Sequence, residues 1–256
     1  MLIGKQYNPQ KAQTDVLVQL NAGSIDVGVM DSIMAGFYMS QDGEYSEKLM
    51  IVEGLTLATE QYGIAARKGS GFAKVISAAL IELAKQDKIT PIAEKYGIAS
   101  ELCIDKNATV EPLTESEKKD WEEIQAKGTF VVGYTVFKPI AYEENNALIG
   151  FDIDLAKAVA ELIGLKVEFQ KIEWAAKEAL LEGGNIDCIW NGMTITEERK
   201  EAMAITIPYL NNKQVAVIRK ADKDKYTSIE SMKNAIMGAE AGSAGESCII
   251  VIKEEE

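Results

Sequence analysis

At 256 residues the chain has room for one large domain or two lobes of ordinary size, and 47% hydrophobic with 26% charged residues is the composition of a soluble globular protein with a sizeable core. With 40 acidic against 27 basic residues the net charge is −13, which argues against nucleic acid or an anionic membrane as partner, because both are bound through clustered Lys and Arg. The chain has no histidine, so the usual triad base, the commonest zinc ligand and the usual neutral-pH switch are missing together.

Three cysteines, Cys103, Cys188 and Cys248, are odd in number and far apart, which supports neither a disulfide framework nor a metal site. No cofactor is expected. No run approaches the roughly 18 to 20 apolar residues of a membrane span. The opening MLIGKQYNPQ lacks the basic and apolar regions of a signal peptide.

The first patterned stretch is LNAGSIDVGVMDS, residues 20 to 32, which reads as a helix end, a glycine turn and a strand. It recurs as LEGGNIDCIWNGM, residues 181 to 193, as two similar lobes would produce. Helical spacing follows over 72 to 97, with Gly97 placed to cap. Residues 105 to 128 carry dense charge and little apolar periodicity before Trp121 and Ile124, so they read as a solvated connector ending in a short amphipathic helix. FVVGYT (130 to 135) reads as a strand, DIDLAKAVAELIG as a helix closed by Gly164 and started by Asp152 as its cap, and LKVEFQKI (165 to 172) as a strand. WAAKEALLEGG is again helical, and IDCIWNG (186 to 192) and QVAVIRK (214 to 220) are strands. This alternation predicts an α/β protein with mostly parallel strands.

Ligands in open α/β sheets bind beyond the carboxyl ends of the strands. The polar residues reached there are Asp31 in one copy of the repeat, and Thr194 with Arg199 beyond it in GMTITEER, which opens on Gly192. A planar guanidinium matches two carboxylate oxygens at once, as a lysine does not, so Arg199 is the candidate for a ligand carboxylate. Thr194 adds a hydroxyl, and Thr196 is placed to cap a helix beginning at Glu197. The alternatives are ordinary ones: Arg199 pairing with Glu198 or Glu201, and Asp31 capping the helix SIMAGFYM. AGSAGES (241 to 247) contains neither GK[ST] nor GxGxxG, so a nucleotide is not expected. The backbone N–H groups of Ser243 and Ala244 there either serve a carboxylate or only form a tight turn.

The runs GFDIDLAKAVAELIGLKVEFQKIEW, IDCIWNGMTITEERKEAMAITIPYL and AEAGSAGES together resemble the polar amino-acid-binding proteins of bacterial ABC importers. The resemblance implies the two-lobed type II periplasmic binding fold. It further implies an extracytoplasmic protein that closes a hinged, interlobe cleft on a free amino acid and delivers it to a membrane permease, without enzymatic turnover. In that family the acidic residue at the position of Asp31 takes the ligand ammonium, and the aromatic at Phe137 packs on its side chain; Trp190 is expected to point toward the same cleft. A ligand-sensing domain of a receptor is the rival function. A dehydratase on the same fold, using carboxylates such as Glu143 or Glu173, is a further one. Which amino acid is bound is not indicated.

The order of segments departs from the family, whose members begin near KGTFVVGYT and end near AEKYGI. A circular permutation is therefore expected, with the usual termini joined through 105 to 128 and new ones at Glu256 and Met1. An engineered permutant and adjoining halves of a tandem receptor both fit. On this reading 54 to 210 form one lobe, 211 to 256 with 1 to 53 form the other, and the chain crosses near 207 to 213 and 55 to 61. A monomer is expected in preference to a swapped dimer.

Overall fold

A computed structural model describes residues 2–4, 6–40 and 43–251; the proposed new termini, Met1 and Glu256, lie outside the described residues. The chain forms two compact units. Unit 1 holds residues up to Glu60, the short piece Glu173–Ala175 and the chain from Asn212 onward; unit 2 holds Gln61–Ile172 and Ala176–Asn211. Both are α/β.

In unit 1 the strands Gln6–Gln10, Ile236–Glu240 and Val27–Asp31 lie side by side and parallel, and Leu210–Arg219 joins the last of them antiparallel. The helix Gln13–Ala22 links the first strand to Val27–Asp31 and buries Val16, Leu17 and Leu20. Val27, Val29, Ala216, Ile218, Met232, Met237 and Ala239 fill the core. Alternate residues of each strand face it, as the two-residue period of a strand requires. QYNPQ gives little sign of being a strand, because it is polar and carries Pro9; it is tolerated at the sheet edge, where one neighbour rather than two must be satisfied.

In unit 2 the strands Lys166–Lys171, Thr129–Tyr134 and Cys188–Thr194 are parallel neighbours. The end of the long strand Leu49–Arg67 pairs antiparallel with Cys188–Thr194 and with Met203–Ile205. The expectation of mostly parallel strands thus holds apart from the small antiparallel hairpin Tyr142–Glu144 with Ala147–Ile149 and the pairings of Leu49–Arg67 and Leu210–Arg219, where the chain passes between units. The helix Phe151–Ile163 supplies the crossover that the parallel neighbours Thr129–Tyr134 and Lys166–Lys171 need, and Gly164 ends it with φ +74°. The predicted helical stretch over 72 to 97 is two helices, Phe72–Lys85 and Thr90–Lys95. Asp87 breaks it at φ +54°, and Pro91 starts the second.

The connector is more ordered than its charge suggests. Glu115–Lys127 is a 13-residue helix started by a capping box, with Glu117 N donating to Thr114 Oγ1 and Thr114 N donating to Glu117 Oε2. The signal was present in the sequence as Thr114-Glu-Ser-Glu117. Trp121 stacks on Phe72 at 5.9 Å between ring centroids, and Phe72 meets Phe130 edge-on at 5.0 Å, so the helix is docked on the unit it leads into. Ser70 Oγ and Gly71 N both donate to Asp120 from the start of Phe72–Lys85.

Candidate functional site

All seven residues of Cys188–Thr194 are buried, since the strand has neighbours on both sides and helices on its faces. Gly192 sits at φ +60°, and a Cβ there would come within 2.8 Å of the Phe137 ring and 3.0 Å of the Tyr62 ring. Only glycine meets both demands. The close approach is what seats Phe137 against Tyr62, edge to face at 6.4 Å between centroids. Beneath the strand, Gly192 N and the Tyr209 hydroxyl both donate to Asp152 Oδ2, each at 2.9 Å. Burial pushes the Asp152 carboxyl up to about 7 despite these bonds. Asp152 is therefore not the cap of Phe151–Ile163; it lies inside the first turn and props the backbone of Cys188–Thr194.

Trp190 differs from expectation in the same way. It is fully buried (0% exposed), and its indole is turned to the Asp152 carboxyl, because alternate residues of a strand covered on both faces all point into packed layers.

Beyond the strand, Thr196 caps the short helix Glu197–Ala202 as expected, accepting from Arg199 N at 3.1 Å. This cap turns the chain so that the half-buried Arg199 folds back, and its Nη1 donates to Thr194 O at 2.7 Å. The guanidinium is thus fixed at the carboxyl end of a buried strand, with the buried Thr194 beside it.

In unit 1, Asp31 occupies the N-cap position of Ser32–Met39 yet makes no capping bond with its side chain. Its carboxylate is 5% exposed and accepts instead from Gln13 Nε2, from Asn212 Nδ2 at 2.5 Å and from Gln214 Nε2 at 2.9 Å. Asp31 N donates to Gln13 Oε1. The same two amides of Asn212 and Gln214 donate to Glu60 Oε1, at 2.5 and 2.8 Å. Burial and then the adjacent negative Asp31 raise the Glu60 carboxyl to about 8. Gln13, Glu60, Asn212 and Gln214 were missed by sequence reasoning. Asn212 and Gln214 reach Asp31 through strand pairing, which sets Gln214 opposite Asp31.

Ser243 caps the four-residue helix Ala244–Ser247, accepting from Glu246 N, while Gly242 N donates to Glu246 Oε2. Ser243 N donates to Glu240 O, so this N–H, expected to face a ligand, is used within the turn. Glu143 and Glu173 are both exposed. Cys103, Cys188 and Cys248 are free thiols, and among the described residues no three metal-binding side chains gather.

Residues 130–246 match the family model for bacterial extracellular solute-binding proteins, family 3. The probable amino-acid-binding protein YxeM of Bacillus subtilis (strain 168) is 34% identical over 105 residues, 41% of this chain and 39% of its own length. The arginine-binding extracellular protein ArtP of the same strain is 30% identical over 110 residues, 43% of this chain and 42% of its own. The chain thus spans less than half the length of these curated relatives. The crystal structure of the arginine-bound form of domain 1 from TmArgBP is 32% identical, covering 43% of this chain and 93% of that one, with a TM-score of 0.34. With the α/β order of both units, the fold is that of type II periplasmic binding proteins. Residues 130–246, a little under half of the chain, are thus similar to the bacterial extracellular solute-binding proteins, family 3.

Proposed function

We propose that the chain binds a free amino acid, without turnover, for delivery to the permease of an ABC-type importer, and that it works outside the cytoplasm. Among the described residues no helix is long and apolar enough to cross a membrane. In this reading Arg199 takes the ligand carboxylate with Thr194 beside it, Asp31 takes the ammonium, and Phe137 packs on the side chain. Gly192 and Trp190 support Phe137 and the strand from behind. Ser243 and Ala244 contribute through the Ala244 N–H. Both ligand charges must be paired, because an unpaired buried charge is costly.

The observation that carries the reading is the fixed guanidinium. Tied by one N–H to the Thr194 carbonyl, Arg199 is held in place by the protein's own backbone, which limits the side-chain entropy that binding must cost. The experiment is calorimetric titration with the 20 common L-amino acids. At least one is expected to bind, and Arg199→Lys to weaken it more than tenfold, about 1.4 kcal/mol, through loss of the two-pronged geometry. Asp31→Asn is expected to weaken it as well. Affinity unchanged by Arg199→Lys would remove the carboxylate role.

The permuted order is part of the proposal. The family match begins at 130, while Val27–Asp31 and Phe72–Lys85, which complete the two units, come earlier in the chain. On that reading the lobes are 54 to 210 and 211 to 256 with 1 to 53, whereas the two compact units divide the chain after Glu60 and after Asn211. The test is to join residue 256 to residue 1 and open the chain in the connector. Opening at Ala126 would cut the docked helix Glu115–Lys127, so the new start belongs at Leu113, ahead of the capping box. The re-permuted chain is expected to fold as a monomer by light scattering and to bind the same ligand; a chain that neither folds nor binds would show the order to be wrong.

A further inference from the structure

Asp31 Oδ1 and Glu60 Oε1 each lie 2.5 Å from the same nitrogen, Asn212 Nδ2, and so are no more than about 5 Å apart. Both are buried. The amide of Asn212 is held from its other side, where Oδ1 accepts from Ser32 Oγ and Ile33 N. Gln214, 1% exposed, commits its Nε2 to both carboxyls, and its own Oε1 is left without a hydrogen bond. The orientation of both amides is therefore dictated by the two acids. The titratable groups facing Glu60 are Asp31, from the end of Val27–Asp31, and Cys248, past the helix Ala244–Ser247. The strand Leu210–Arg219 presents Asn212 and Gln214, and among the described residues no cation takes part in the interactions of Glu60. Two carboxylates this close and this buried do not both stay ionised. Burial and the Asp31 charge accordingly push the Glu60 carboxyl up to about 8.

We propose that Glu60 and Asp31 share one proton in the ligand-free protein and give it up when a ligand ammonium binds, so that capture of an amino acid is coupled to release of a proton. The inference rests on Asp31 being the ammonium acceptor. On binding, the O–H bond of the Glu60 carboxyl breaks and the proton passes to buffer. The charge left on Glu60 then joins that of Asp31 in balancing the ammonium.

The absence of histidine leaves few other sources of a proton near neutral pH. Asp152, raised to about 7, is one, and Glu60→Gln separates the two. The full chain is titrated with the 20 L-amino acids, and the tightest is then measured at pH 7 in phosphate and in Tris, whose heats of ionisation differ. The apparent enthalpies are expected to differ by the heat of about one proton, and the affinity to rise about tenfold per pH unit from 6 to 7 and level off above 8. In Glu60→Gln the release and the slope disappear. Gln copies the shape of the protonated acid, so this variant is expected to melt near the parent at pH 6; should it not fold, Asp152→Asn takes its place, where proton release is expected to persist and its loss would overturn the assignment to Glu60.

Binding with equal enthalpies in both buffers overturns the proton coupling and leaves the amino-acid reading standing. Proton release that persists in Glu60→Gln overturns the assignment to this pair. No binding of any amino acid at any pH overturns the amino-acid reading, and the coupling with it.

Discussion

The strands Val27–Asp31 in unit 1 and Cys188–Thr194 in unit 2 are entered in the same way. In each, the aspartate of the repeated Ile-Asp pair brackets the neighbouring parallel strand. Asp26 N donates to Ile236 O and Asp26 Oδ2 accepts from Ile236 N; Asp187 N donates to Val131 O and Asp187 Oδ2 accepts from Val131 N. Each carboxylate is also paired with an arginine of an antiparallel strand, Arg219 for Asp26 and Arg67 for Asp187. The far ends differ. One strand runs into an acid ringed by amides, the other into a threonine and a fixed guanidinium. The repeat therefore preserves what the scaffold needs, a locked parallel register, while the chemistry at the carboxyl end has opposite charge in the two units.

The largest break in this comparison is expected from Gly192→Ala, which has no counterpart in unit 1. It puts a Cβ at φ +60° against the Phe137 and Tyr62 rings. We expect a loss of about 2–4 kcal/mol in urea unfolding, combining backbone strain with overpacking. A loss under about 0.5 kcal/mol would show that Phe137 moves aside freely.

Next come the two register locks. Asp187→Ala leaves Val131 N unbonded where the side chain is 7% exposed, and is expected to cost about 2–3 kcal/mol. Asp26→Ala acts where the side chain is 24% exposed and water can replace it, so about 1–2 kcal/mol is expected. Hydrogen exchange should place each loss in its own unit. Equal costs would mean that burial is not what separates the copies.

Arg199→Lys, at about 1.4 kcal/mol in ligand affinity, probes the charged end of one strand without touching its locked start.

The most gradual effect is that of pH on the ligand-free protein. Glu60 is raised from 4.5 to about 8 and Asp152 from 3.8 to about 7, so the folded state holds both protons more tightly than the unfolded chain. That stabilisation is complete below the unfolded values and is lost as pH rises through the folded ones. Stability should therefore fall from about pH 5 to pH 8, by at most ~1.4 kcal/mol per pH unit from each group. Glu60→Gln should flatten the fall in unit 1, and Asp152→Asn the fall in unit 2. Stability that instead rises over this range would contradict both assignments.

Features set by neighbouring residues were determined by the sequence itself. The α/β alternation, the glycine ends at Gly97 and Gly164, the Thr196 cap before Glu197 and the repeated Ile-Asp strand starts all appear in the fold, because periodicity, φ preference and capping act over a few residues. The capping box at Thr114 belongs with them, and it starts the amphipathic helix expected at the end of the charged connector. What only the tertiary structure decided lies at the strand ends. Asp31 stands at an N-cap and Asp152 in the first turn of its helix, and neither side chain caps. Asp31 is claimed by Gln214, 183 residues away in the chain, because antiparallel pairing sets the two opposite each other. Asp152 is claimed by Gly192 and Tyr209, because its helix packs against the strand Cys188–Thr194 and Tyr209 stands just ahead of Leu210–Arg219. A buried carboxyl takes the donors that packing brings to it, and that supply is fixed by sheet register and layer contact, which no local pattern records.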